Sequence, residues 1–337
     1  MEKIAVIAQL LFVPLLACTP GPDPVPDGPE EATSPTSPAK VVLIAADDEY
    51  RSEESMPMLA ALLKRDHGIE PVLLFSQSKD GRVAPSRMDH IPGLEALEDA
   101  DLLVLFTRWR DLPVDQMAKI VAYVERGGPV VGFRTATHAF KFSADHPYAD
   151  WNETKIAALV GQRWIVHHGH FSDGEAPLTR VTTSENATSP ILNGVETPFD
   201  AYSWLYHVTG GGDALAPEST PLLTGETLRS RQLQGGRGDR YPPVQPVAWT
   251  KTNPFSPTGV EPGRVFFTTL GHPYDFKLPA VRRLSVQGVL WALGREAEIP
   301  AEGVRTDVVV PYAPTNSGAG GEQTGRSPAQ MRSAAGL

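Results

Sequence analysis

Three short stretches concentrate side chains able to move protons or hold anions: Asp47-Asp48-Glu49-Tyr50-Arg51-Ser52-Glu53-Glu54, Thr107-Arg108-Trp109-Arg110-Asp111 and Arg134-Thr135-Ala136-Thr137-His138. Asp48 and Glu49 are candidate carboxylate bases, and His138 is a candidate proton donor near neutral pH. Arg51, Arg108, Arg110 and Arg134 carry planar forks of donors suited to a carboxylate, a phosphate, a sugar hydroxyl or an oxyanion, and form a candidate substrate-binding set. Such a set can take a proton, hold the anion that forms and protonate a leaving group. Each cluster has a plainer reading, with Ser52 capping a helix whose first turn favours Glu53 and Glu54, and the arginines in loop salt bridges. Three clusters that each follow an apolar run weigh against it.

The second half of the chain adds His167-His168-Gly169-His170 and Gly271-His272-Pro273-Tyr274-Asp275. His168 joins the catalytic candidates, and His272 and Asp275 join the binding set. Seven of the nine histidines lie between positions 138 and 272, which makes His168, His170 and His272 candidate ligands for a divalent metal such as zinc. The His-His-Gly-His spacing matches no standard zinc pattern, and adjacent histidines on a strand face opposite ways, so hydrogen bonding or acid and base work without a cofactor is the preferred reading. Cys18 is the single cysteine, which excludes an intramolecular disulfide, a thiol nucleophile in the body and a cysteine-ligated metal there.

These residues need elements to position them. The apolar run at 41–46, a helical pattern at 52–64, strands at 71–75 and 101–106, a helix at 113–125 and a strand at 130–133 alternate in the manner of a doubly wound, mainly parallel α/β sheet of flavodoxin-like type. In such a sheet ligands bind beyond the carboxyl ends of the strands, where all three clusters fall. Strand patterns at 179–183, 201–208, 221–224, 247–250 and 264–270, closed by a helix at 279–293, form an elaborated second half. A net charge of −10 with no basic stripe argues against a nucleic-acid partner and for a small-molecule ligand.

The two ends read differently. Residues 1–18 form a signal peptide whose apolar core ends in Leu15-Leu16-Ala17-Cys18, similar to a bacterial lipobox with Cys18 as the lipidated residue. The implied location is exported and membrane-anchored in the bacterial envelope. Residues 19–39 are a Pro-rich disordered tether, 40–311 the folded domain and 312–337 a disordered Gly- and Ser-rich tail.

The ordered motifs DDEYRSEE, FTRWRDLP, VVGFRTATHAF, WIVHHGHF, PVAWT and RVFFTTLGHPYDF together resemble the trehalose-utilisation (ThuA-like) family over about residues 40–295. The resemblance implies a fold similar to class I glutamine amidotransferases and a carbohydrate substrate, a keto-sugar or disaccharide derivative. In those amidotransferases the strand matching VVGF ends in a nucleophilic cysteine; here Arg134 and Thr135 stand there, so glutaminase chemistry is not expected. An acidic residue that many relatives carry near the tyrosine of Tyr202-Ser203-Trp204-Leu205-Tyr206 is absent. The leading expectation is a membrane-tethered sugar-processing enzyme, a lyase or hydrolase, using acid and base chemistry. A non-catalytic carbohydrate-binding or scaffolding lipoprotein and a metal-dependent hydrolase built on His138, His168, His170, His272 and Asp275 are the alternatives. Trp109, Trp164 and Trp204 could stack on sugar faces or belong to the core. The oligomeric state is left open.

Overall fold

Val41, Leu43 and Ala45 of strand β1 (Lys40–Ala46) enter one hydrophobic core, and Val42, Ile44 and Ala46 enter another. That alternation is why the strand is apolar throughout: side chains on both faces of a covered sheet must leave water. The computed structural model describes Met1 and residues 37–170 and 173–337, and the folded unit spans Pro38–Leu337. The signal peptide, Cys18 and nearly all of the tether lie outside the described residues.

Among the described residues nine strands form one sheet in the order β2-β1-β3-β4-β9-β8-β7-β5-β6. β2 (Glu70–Phe75), β1, β3 (Leu102–Thr107), β4 (Val130–Phe133) and β9 (Arg264–Thr268) run parallel to one another. From β9 onward, β8 (Val244–Thr252), β7 (Thr220–Thr227), β5 (Thr179–Thr183) and β6 (Phe199–Ala201) pair antiparallel. The expected mainly parallel sheet thus describes one half; the molecule is a mixed α/β protein whose second half extends the same sheet. Helices α1 (Ser52–His67) and α5 (Pro279–Ala292) cover one face through Met56, Leu59, Val281 and Leu284. Helices α2 (Val114–Glu125) and α3 (Thr154–Val160) cover the other through Met117, Ile120, Ile156 and Leu159.

Two expectations are corrected. The strand pattern at 201–208 yields a strand only over Phe199–Ala201, because the next amides are claimed by side chains: Tyr202 N donates to Asp275 Oδ1 at 2.6 Å and Val208 N to Gln245 Oε1 at 2.9 Å. The tail at 312–337 is ordered, not disordered. Arg51 donates through Nε to Thr315 Oγ1 at 2.8 Å and through Nη2 to the carbonyls of Gly318 and Gly320 at 2.8 and 2.7 Å. The segment then exchanges two backbone hydrogen bonds with Val83 and ends in helix α6 (Pro328–Ala334), held by a Ser327–Gln330 capping box and the buried Met331. Its Gly-rich composition signals disorder only for a chain without partners; a buried guanidinium needs carbonyl acceptors, and this segment supplies them. Among the described residues no helix is long and apolar enough to cross a membrane.

Candidate active site

The turn from β1 into α1 is built on Asp47, which is fully buried. Its Oδ1 accepts the Glu49 amide at 2.7 Å and the Tyr50 amide, and its Oδ2 accepts the Thr135 hydroxyl from the end of β4. Asp47 therefore clasps two strand ends together and is spent on structure. The same turn lifts Asp48 and Glu49 beside Arg108 at the end of β3. Arg108 Nη1 lies 3.2 Å from Asp48, and Nε lies 2.9 Å from Glu49 Oε2, a charge contact off the N–H direction rather than a hydrogen bond. The Glu49 and Arg108 side chains are 15% and 16% exposed, enough for a ligand to reach them. Burial raises the Glu49 carboxyl above its ordinary range, against the opposing pull of Arg108 and Arg134, with Asp47 adding to the rise.

Arg134 occupies the sharp turn after β4 with φ of 39°, a left-handed conformation costly for a non-glycine residue. Its guanidinium is completely buried between the rings of Tyr50 (4.2 Å) and Tyr206 (4.5 Å). Nη1 donates to the carbonyls of Trp204 (3.2 Å) and Thr269 (2.9 Å), and Nη2 to the Tyr50 hydroxyl (3.0 Å). The space beneath it requires glycine at 271, where a Cβ would stand 2.9 Å from Arg134 Cβ. Arg134 thus holds both tyrosines in place; its Nη1 and Nη2 are committed, its Nε is buried without a partner, and complete burial keeps the fork from a substrate, which corrects the expected role.

His138 ends the same turn. Its ring lies 5.6 Å from Trp109, 5.5 Å from Trp164 and 6.5 Å from Tyr206. Thr137 Oγ1 donates to the Arg134 carbonyl at 3.2 Å and lies 3.0 Å from His138 Nδ1, so the ring is assigned as the Nδ1–H tautomer with a lone pair on Nε2. Burial, with Arg108, Arg134 and His167 adding, holds its pKa well below the usual histidine range. At neutral pH His138 is therefore a proton acceptor, not the donor expected from its residue type. Next to it, Arg108 lies 3.7 Å over the Trp109 ring, and a row of rings continues through Trp164 and His167, which stacks on Trp204 at 4.6 Å.

Other expected site residues lie elsewhere or are fully engaged. Arg51 is bound by the C-terminal segment. Arg110 is buried, donating to Ser76 Oγ and the carbonyls of Pro85, Arg87 and Arg108, with Nη2 3.2 Å from Asp48; burial lowers its pKa to about 10. Asp48 is bridged by Arg108 and Arg110. His168 is turned away toward α4 (Arg231–Gln234), its Nδ1 2.7 Å from the capping Ser230 Oγ. Its neighbour His167 faces the site instead. Asp275 accepts the amides of Tyr202, Ser203, Gly271 and His272 and the Ser203 hydroxyl, tying two loops together and leaving no oxygen for a substrate. His272 closes the rim, Nδ1 accepting the Tyr274 amide at 3.1 Å and Nε2 lying 2.9 Å from Ser317 Oγ. Among the described residues His168, His170 and His272 are not brought into a three-ligand metal group. His167, Tyr50 and Tyr206 were not singled out from sequence; the alternation of sides along His167-His168 is the one signal that could have separated the pair.

The family model for trehalose utilisation matches residues 36–292. The chain belongs to the ThuA family. Among solved structures it is similar to a ThuA-like protein from Bacteroides uniformis, 15% identical over 78% of this chain and 95% of that one, with a TM-score of 0.47. A ThuA-like protein from Parabacteroides merdae is 19% identical over 88% of this chain and 99% of that one, with a TM-score of 0.45. No curated protein matches the sequence. The ThuA match spans β1 through the end of α5 and so contains the whole rim described above.

Proposed function

We propose that this ThuA-family protein is a carbohydrate-processing enzyme that works by acid and base catalysis at the rim formed by Glu49, Arg108 and His138. The observation that carries the reading is the opposite tuning of two groups that both feel Arg108: burial keeps His138 neutral with a lone pair on Nε2, while burial raises the proton affinity of Glu49. On a keto-glycoside, His138 Nε2 takes the α-proton, the electron pair forms an enolate balanced by Arg108, and the C–O bond beyond it breaks as Glu49 protonates the departing oxygen. The partly exposed rings of Trp109 and Trp164 supply a flat apolar wall suited to a sugar face. Tyr50, Tyr206 and buried Arg134 act as positioning residues.

The order β2-β1-β3-β4-β9, with helices on both faces, supports a doubly wound core of the flavodoxin-like and amidotransferase-like type. Arg134 at the left-handed turn, and Cys18 as the sole cysteine, speak against glutaminase chemistry. Export and anchoring through Cys18 are part of the proposal and rest on the sequence of residues 1–18.

The test is turnover of 3-keto-disaccharides followed by the ultraviolet absorbance of the enone product. His138→Ala and Glu49→Gln are each expected to lower kcat by about 10²-fold or more while sugar binding persists. Full turnover in both variants sinks the mechanism; saturable binding of an unmodified sugar with no turnover by the parent protein supports the non-catalytic reading instead.

A further inference from the structure

Away from the rim, a cavity of about 270 Å³ lies between α1 and the C-terminal segment. Pro57, Met58, Val310 and Met331 form apolar walls, and Glu53 and Glu54 lie at its polar side. Glu53 is the feature that demands a partner. Its side chain is completely buried, Oε1 accepts the Gln323 amide at 3.0 Å, and Oε2 has no hydrogen-bond partner. Glu54 is better served, its Oε1 accepting the Thr315 amide and hydroxyl. The nearest cation along the helix, Arg51, is committed to Thr315 and two carbonyls, and Arg326 is exposed.

We propose that this cavity binds a small organic ammonium ion, with its nitrogen at the Glu53 and Glu54 end and a short aliphatic body against Met58, Pro57 and Met331. An unpaired buried acceptor asks for a donor, and a second carboxylate at the same end selects a positive donor over a neutral one. A bare inorganic cation needs several oxygen ligands around it, and among the described residues no group of three carboxylate or histidine ligands is brought together. The space equals roughly nine water volumes, room for a chain of a few carbons. The site is separate from the proposed activity and stands or falls without it.

The groups that face Glu53 are Arg51 just before α1, Glu54 on it, and Gln323, Tyr312 and Arg326 from the C-terminal segment. Burial raises the Glu53 carboxyl to about 8, with the Gln323 amide pulling the other way, so below that pH an ammonium ion must displace a proton. Isothermal titration of the full chain with n-butylammonium chloride, and with n-butanol as a neutral match in shape, tests the site. Expected are saturable one-to-one binding of n-butylammonium that weakens by up to about tenfold per pH unit below 8, and at least tenfold weaker binding of n-butanol. Glu53→Gln should lose at least tenfold in affinity. Ala334→Trp, which fills the cavity from α6 and leaves the carboxylate intact, should abolish binding. No saturable binding by the parent protein, equal binding of n-butanol, or undiminished binding in either variant overturns the proposal, and Ala334→Trp decides alone if Glu53→Gln does not fold.

Discussion

At the scale of single residues, burial rather than residue type decides what each titratable group can do. His138 is neutral because burial, with Arg108, Arg134 and His167 adding, disfavours its charged form. Glu53 carries the same principle into stability. Its carboxyl is at about 8 in the folded chain against 4.5 when unfolded, so between those values the folded state holds the extra proton and stability falls as pH rises. His167, His168 and His272, lowered by burial to about 4, act in the opposite sense between about 4 and 6.5. Between pH 6.5 and 8 Glu53 dominates, with Lys251, lowered by burial to about 8, beginning to act in the opposite sense near the upper end, so denaturant titrations should show a net loss of roughly 1–2 kcal/mol that Glu53→Gln largely removes. A wild-type curve flat across that window, or an unchanged slope in the variant, would refute this account of Glu53.

At the scale of elements, the rim is assembled by clasps between strand ends. Asp47 joins the β1 turn to the β4 turn through Thr135, and Asp275 joins the loop after β9 to the loop after β6. Thr135→Val removes one donor and leaves Asp47 Oδ2 buried without a partner, at an expected loss of about 1–3 kcal/mol. Chemical denaturation checks the energy, and the Glu49 and His138 chemistry should weaken with it because the two turns no longer share a fixed register. A variant as stable as the parent would show that the clasp is incidental. The helix and strand periodicities locate β1 to β4, α1, α2 and α5 within a few residues, since apolar spacing is a local property. The strand expected at 201–208 fails because its amides bind Asp275 and Gln245, residues remote in sequence.

At the scale of the whole molecule, one sheet carries both halves, and the C-terminal segment crosses back over the start of α1. Gly318 N donates to the Glu49 carbonyl at 2.9 Å, so the segment braces the turn that bears the candidate acid. Ending the chain at 311 would leave the buried Arg51 guanidinium without three of its acceptors and uncover Glu53. The expected cost is at least about 3 kcal/mol, seen as a lower thermal unfolding temperature, with reduced turnover from a loosened Glu49. Unchanged unfolding and turnover after truncation would mean that the segment contributes nothing to the fold or to the rim.

By itself the sequence determined the alternation of apolar strands and helices, the carboxyl-end placement of the three polar clusters and the absence of a cysteine from the body. These follow from spacing and composition along the chain. Only the tertiary structure decided that Glu49, Arg108 and His138 share one rim, and that Arg51, Arg110, Arg134 and Asp275 are consumed by internal hydrogen bonds. It also separated His167 from His168 and ordered the Gly-rich tail. The physical reason is common to all four outcomes. Whether a polar group is free for chemistry depends on which distant carbonyls, amides and rings surround it once water is gone, and residue type and local spacing do not encode that.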